Sequence, residues 1–150
     1  MENEKPERAR SLKSLELTQE LLSKLKDTAR SASRSSYSPY SNFKVGAAVL
    51  TSKGKIYSGC NIENASYGLT NCAERTAIFK AVSEGESDIL AVVVYTPTEN
   101  LSFPCGACRQ VLNEFGPDCL VVSIGNGERE EIKYARELLP DSFGPKDLGK

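Results

Sequence analysis

From Thr18 onward, apolar residues fall at Leu21, Leu22, Leu25, Ala29 and Ala32, the spacing of one buried helix face. Thr18, just ahead of them, is a residue type that caps helix N-termini. The period breaks in the serine-rich run 31–36 and in Tyr37-Ser38-Pro39-Tyr40-Ser41-Asn42, which reads as loop. Val45 to Leu50 is apolar on both faces, as a central strand is, and Gly46 and Ala48 are small enough to let another layer approach. After a Ser52-Lys53-Gly54 turn, Ile56 to Glu63 reads as a second strand pairing back on the first. Alternation puts Ile56, Cys60 and Ile62 on one face of it and Asn61 and Glu63 on the other.

The pattern then switches period. A helix is expected from a cap at Asn71 to Ser83, burying Ala77, Ile78, Ala81 and Val82 and ending at Gly85. Ile89 to Tyr95 is a continuous apolar run of the kind found in strands covered on both faces. Pro104 suits the first position of a further helix running to Phe115, where Gly116-Pro117 stops it. Cys119 to Ile124 predicts a strand, Gly125-Asn126-Gly127 a turn, Glu131 to Tyr134 a short edge strand, and Arg136 to Leu139 a brief helical turn. Helix, strand, strand, helix, strand, helix, strand, strand predicts an α/β fold: a three-layer α/β/α sandwich with a mixed five-stranded sheet. Crossover connections bring the N-termini of the two middle helices to one end of that sheet.

Composition narrows what such a fold does. The chain has 150 residues, enough for one core, so 15–150 is read as a single domain and the charged stretch 1–14 as a disordered tail. Nineteen basic and 20 acidic residues give a net charge of -1, which argues against a nucleic acid partner. No apolar run is long enough for a membrane span and the start is charged, so a soluble, cytoplasmic protein is expected. Histidine is absent, which removes serine or cysteine nucleophiles paired with imidazole and any imidazole metal ligand. Five cysteines without a secretory leader suit reduced thiols better than a disulfide framework.

Three of those cysteines have metal-ligand spacing. Cys105 and Cys108 present their sulfurs on one side of a first helical turn, and Cys72 opens the other helix. Together they predict a three-thiolate zinc site with its fourth position open to water, which distinguishes a catalytic zinc from a structural one. Three thiolates leave a first-shell charge of about -1 around the ion, so hydrogen bonds from Arg75 or Arg109 to the sulfurs are expected to draw charge off. Arg75 is favoured as the metal-charge-tuning residue, while Arg109 also reads as an ordinary solvated arginine. Glu74 is the candidate proton carrier, although Asn71-x-x-Glu74 also spells a capping box. Taken alone, Cys105-x-x-Cys108 would equally suit a redox dithiol or half of a structural zinc site. Cys60 and Cys119 read as core thiols in strands.

Cys-Ala-Glu-Arg-Thr-Ala (72–77) and Pro-Cys-Gly-Ala-Cys-Arg-Gln (104–110) resemble the zinc signature of cytidine deaminases of the homotetrameric, three-cysteine kind. The resemblance extends through 37–43, 59–65 and 137–144. It implies one zinc ion per chain and hydrolytic deamination of cytidine and 2'-deoxycytidine to uridine and 2'-deoxyuridine plus ammonia, in pyrimidine salvage. Glu74 would move protons between the attacking water, N3 and the leaving amino group. Phe43 would stack on the base, Asn61 and Glu63 would hold the sugar, and backbone groups at Ala73 and before Pro104 would hold the base edge. Ala65, Tyr67 and Phe143 would reach a neighbouring subunit's site, making activity depend on a homotetramer. The family usually has serine before the Pro-Cys where this chain has Phe103, and Ser66 and Gly68 to Asn71 also depart from familiar forms. Blasticidin S deaminases share the zinc cluster, but the Phe-Gly ending and the Arg-Gln after Cys108 point away from them. A structural zinc module would need no open coordination position.

Overall fold

The computed structural model describes residues 17–150; the tail assigned to 1–14 lies outside these. Helix α1 (Gln19–Ser33) begins at Thr18, whose hydroxyl accepts the Leu21 N–H at 3.1 Å. Strands β1 (Gly46–Thr51) and β2 (Ile56–Cys60) form the expected antiparallel hairpin, with Gly46 opposite Cys60 and Leu50 opposite Ile56. Helix α2 (Ala73–Ser83), strand β3 (Ile89–Tyr95), helix α3 (Gly106–Phe115), strands β4 (Leu120–Ile124) and β5 (Glu130–Tyr134) and the short helix α4 (Ala135–Leu138) follow. Two 3-10 turns, Tyr67–Leu69 and Pro145–Leu148, escaped the periodicity, being too short to show one.

The sheet has five strands in the order β2-β1-β3-β4-β5. Only β3 and β4 pair in parallel, and β5 is an edge. Because β2 and β3 both run opposite to β1, β2, β3 and β4 all point the same way. Helices α2 and α3 therefore leave from the same end of the sheet, after β2 and β3 respectively. On one face α1 buries Leu25 and Ala29 against Ala48, Leu50, Ala91, Val93, Val122 and Ile124. On the other, Ala73, Ala77, Ile78 and Ala81 of α2, Leu112 of α3 and Ala135 and Leu138 of α4 pack on Val49, Val92, Val94 and Val121. The three-layer α/β/α sandwich with its mixed five-stranded sheet is thus the observed architecture.

Two glycines set how closely the layers approach. A Cβ at Gly46 would fall 1.9 Å from the Ala29 carbonyl oxygen in α1, and one at Gly59 would fall 2.4 Å from Ala77 N and 2.5 Å from Ala73 O in α2. Backbone packs directly on backbone at both places, and any side chain would push the helix off the sheet.

Besides one-residue shifts at β1, β4, β5 and α4, three boundaries near the site differ from the sequence pattern. β2 ends at Cys60, short of Glu63, because the chain leaves the β1 edge there. It stays extended between other partners: Ile62 exchanges backbone hydrogen bonds with Asn71, and Tyr37 bridges Asn61 and Glu63. The cap of α2 is Cys72, not Asn71, since the Cys72 carbonyl accepts the Thr76 N–H that starts the helix while the Asn71 carbonyl accepts from Ile62 N–H. Helix α3 starts at Gly106 with Cys105 as its cap, so Pro104 precedes the cap instead of occupying the first turn.

Candidate active site and metal centre

The two shifted helix starts have a chemical consequence: the cap residue of each helix is a cysteine. Neither sulfur accepts a capping hydrogen bond, so both are available elsewhere. The Sγ atoms of Cys72 and Cys105 stand 3.7 Å apart, and those of Cys72, Cys105 and Cys108 all lie within 4.8 Å of one another. A tetrahedral zinc ion with bonds of about 2.3 Å holds its sulfurs about 3.8 Å apart. The donor set and its spacing fit zinc, with Cys72, Cys105 and Cys108 as ligands. Among the described residues no other group of histidine, cysteine or acidic side chains gathers in this way.

Electrostatics favour the thiolate form at Cys72. The sulfurs sit at the positive ends of two helices, and Arg75 Nη2 donates to Cys72 Sγ at 3.3 Å. The Cys72 thiol is held well below its ordinary range by its hydrogen bond with Cys108, against the opposing effect of burial, and further by bonds with Arg75 and Cys105. Cys108 moves the other way, chiefly because it shares that bond and is buried.

Arg75 is thus in contact with a sulfur. Arg109 is not: its Nε donates to the Pro104 carbonyl at 2.6 Å and its Nη1 to Leu138 O at 2.9 Å. It fixes the entry to α3 against α4 instead of contacting a sulfur.

Glu74 occupies the second position of α2 and is only 5 % exposed. The capping-box alternative fails on register and on partner, because Cys72 is the cap and the Asn71 amide is spent on Ile62. Burial raises the Glu74 carboxyl to about 6, and the neighbouring Cys72 charge also pushes it up. A carboxyl poised there can hold or release a proton near neutrality.

A cavity of about 270 Å³ opens over Glu74, Cys72 and Cys105, lined also by Phe43, Asn61, Glu63 and Ala73. The far-separated candidates for base stacking, sugar binding and proton transfer thus line one space. Asn61 is buried and shapes the wall itself: Nδ2 donates to Phe43 O at 2.7 Å, and Oδ1 accepts from Val45 N at 3.0 Å and from the Ser36 hydroxyl. Glu63 accepts from the backbone N–H of Tyr40 at 2.9 Å and of Ser41 at 3.1 Å, and from the Ser41 hydroxyl. The Ser41 hydroxyl bond, against desolvation and helped by the two backbone bonds, holds its carboxyl below the ordinary range.

Ala65, Tyr67 and Phe143 do not line this cavity in the single chain. Tyr67 and Phe143 are exposed, at 73 % and 61 %, and Tyr67 rests against Tyr40 with ring centroids 5.7 Å apart. The cavity also takes in Ser41, Val94, Thr96, Ser102 and Phe103, of which only Phe103 had been singled out from the sequence. Thr96 directly follows β3, two residues after Val94, so the alternation carried past the end of the strand could have pointed to it as a polar residue ending an apolar face.

Three cysteine ligands and a buried carboxyl, assembled where two helix N-termini meet the end of a mixed sheet, define the site of a zinc-dependent deaminase. The family model described as the cytidine and deoxycytidylate deaminase zinc-binding region matches residues 19–124, and the chain belongs to this family. It is 52% identical over 119 residues to the cytidine deaminase of Halalkalibacterium halodurans, covering 78% of this chain and 89% of that one. A probable cytidine deaminase of Dictyostelium discoideum is 46% identical over 133 residues, covering 88% and 90%. Among solved structures, the cytidine deaminase of Burkholderia pseudomallei superposes with a TM-score of 0.79 at 46% identity, covering 85% of this chain and all of that one. That of Mycobacterium tuberculosis gives 0.72 at 39%, covering 82% and 97%.

Proposed function

We propose that this chain hydrolyses cytidine and 2'-deoxycytidine to uridine and 2'-deoxyuridine, releasing ammonia. The observation that carries this reading is a single cavity joining Cys72 and Cys105 of the zinc-ligand triad and a near-neutral buried carboxyl to an aromatic ring and a polar wall. When bound, zinc supplies the Lewis acidity that makes water a nucleophile at neutral pH.

This chain's residues do the rest. Phe43 stacks on the pyrimidine, while Asn61 and Glu63 orient the sugar at the opposite wall. Ala73, with its N–H in the first turn of α2, holds the base edge together with the carbonyl of Phe103. That role needs only backbone from Phe103, so a phenylalanine there is compatible with it. Glu74 takes one proton from the attacking water and places it on N3, then takes the second from the hydroxyl now on C4 and delivers it to the departing amino group, so that water and cytidine balance uridine and ammonia. Arg75 moderates the charge on Cys72.

We further propose that the chain works as a homotetramer in the cytoplasm, in pyrimidine salvage. Ala65, Tyr67 and Phe143, exposed in one chain, would then complete a neighbour's cavity. Following cytidine to uridine by absorbance, with zinc counted per chain and removed by chelator, tests the reading. One zinc per chain with ammonia release abolished by chelator is expected. One zinc per chain with no deamination would leave a structural metal module.

A further inference from the structure

A single hydroxyl on the cavity wall joins Phe43 to Glu63. Ser41 Oγ donates to Glu63 Oε2 and accepts the Phe43 N–H at 3.0 Å. Chemistry fixes the direction of both bonds: a backbone N–H only donates and a carboxylate only accepts, so the Ser41 proton points to Glu63 and a lone pair to Phe43. Glu63 Oε1 is taken by the N–H groups of Tyr40 at 2.9 Å and of Ser41 at 3.1 Å. Of the about four lone-pair positions a carboxylate offers, the one left is on Oε2, the oxygen that Ser41 holds. The Phe43 peptide is gripped on its other side by Asn61, whose Nδ2 donates to the Phe43 carbonyl at 2.7 Å. Asn42, between Ser41 and Phe43, is left-handed at φ 54°, with its N–H held by Ser38 O at 2.9 Å, a conformation that asparagine tolerates. Ser41 and Glu63 line both the cavity over the thiols and an adjoining hollow of about 260 Å³.

Ser41 is exposed, so water would satisfy its hydroxyl without help from the protein. The hydroxyl is spent instead on Phe43 and on a carboxylate 22 residues away. Resting on the reading above, we propose that Ser41 is a positioning residue that sets the sugar-holding carboxylate of Glu63 at a fixed place relative to the base-stacking ring of Phe43. It aims Glu63 so that the remaining acceptor position on Oε2 takes a hydroxyl of the sugar ring while Phe43 covers the base. This placement serves only a ligand that carries both parts. A nucleoside without ring hydroxyls uses the Phe43 ring but has nothing to give to Glu63. Ser41 therefore contributes to selection for the sugar, while proton transfer at the base stays with Glu74.

The test compares wild type, Ser41→Ala and Ser41→Thr on cytidine and on 2',3'-dideoxycytidine, which lacks both ring hydroxyls. Turnover of cytidine by the wild type examines the functional reading by itself, and its absence would overturn that reading and this proposal together. Given that turnover, Ser41→Ala is expected to lower kcat/KM for cytidine roughly 5- to 50-fold, mostly through KM, the range for a hydrogen bond to a charged group at a partly exposed site. On dideoxycytidine the loss should stay within about threefold. Ser41→Thr keeps the hydroxyl and should retain most of the wild-type preference for cytidine, and zinc content should not change in either variant. In a Glu63→Ala background, Ser41→Ala should add less than about a twofold loss, since Ser41 then has nothing to aim. Unchanged kinetics in Ser41→Ala would overturn the proposal, even with a lowered Tm. Equal losses on the two nucleosides, a full Ser41→Ala effect in the absence of Glu63, or Ser41→Thr as impaired as Ser41→Ala would each overturn it too, because Ser41 would then act through the shape of its loop.

Discussion

Glu74 combines burial with a carboxyl raised to about 6, and its side chain is not needed to cap α2. Its amide isostere cannot carry a proton but keeps the volume and leaves the three sulfurs untouched. Glu74→Gln is therefore expected to retain one zinc per chain, measured by elemental analysis, while kcat falls by about 10²–10⁴-fold. Retention of most activity would return Glu74 to a structural role. Glu63 supports a different prediction. Its carboxyl is lowered from 4.5, first by the Ser41 hydroxyl, so its charged form is favoured in the folded state. A depressed carboxylate contributes stability that is present above its unfolded value and lost as pH falls through the folded one. Wild type should thus melt above Glu63→Gln at pH 7, with the difference fading as pH drops below 4.5. A pH-independent difference would mean that shape, not charge, holds the Tyr40–Ser41 turn.

Among the elements, α2 does most to position the site, since it carries Cys72, Glu74 and Arg75 in one turn. Gly59 lets it sit on β2. Gly59→Ala must move backbone on one side or the other, a cost of about 1–3 kcal/mol, and the displacement falls on the turn that holds Cys72. The expected result is a lower Tm together with faster loss of zinc to a chelator. Gly46→Ala meets α1 on the opposite face and should lower Tm with little change in zinc release. If both variants lose zinc alike, the metal senses global stability and not the seat of α2. The elements themselves were largely legible: β3 matches its apolar run residue for residue, and α1 its cap. The starts of α2 and α3 were not, because both shifts come from partners distant in sequence. Ile62 N–H takes the Asn71 carbonyl, and Arg109, which holds the Pro104 carbonyl, is itself tied to Leu138 in α4.

For the whole molecule, the exposed aromatics are the feature left to explain. Phe143 presents its ring to solvent although its carbonyl is held by Gln110 Nε2 at 2.9 Å and Asn113 Nδ2 at 3.2 Å. Ordering a backbone costs conformational entropy, and here the outcome is a fixed, uncovered ring. On the tetramer reading, light scattering should give four chains, and Phe143→Ala should keep zinc while raising KM for cytidine several-fold. A monomer with full activity would contradict that reading. The sequence by itself determined the ligand chemistry, because a chain without histidine and with Cys72, Cys105 and Cys108 at helix starts has thiolates to offer a metal. It also determined the layers, because hydrophobic period is a local property that each segment carries alone. Tertiary structure alone decided that Glu74 faces the thiols and does not cap its helix, and that Arg75 meets a sulfur while Arg109 braces a loop. These outcomes depend on which distant backbone group takes each hydrogen bond, and a one-dimensional pattern does not contain that.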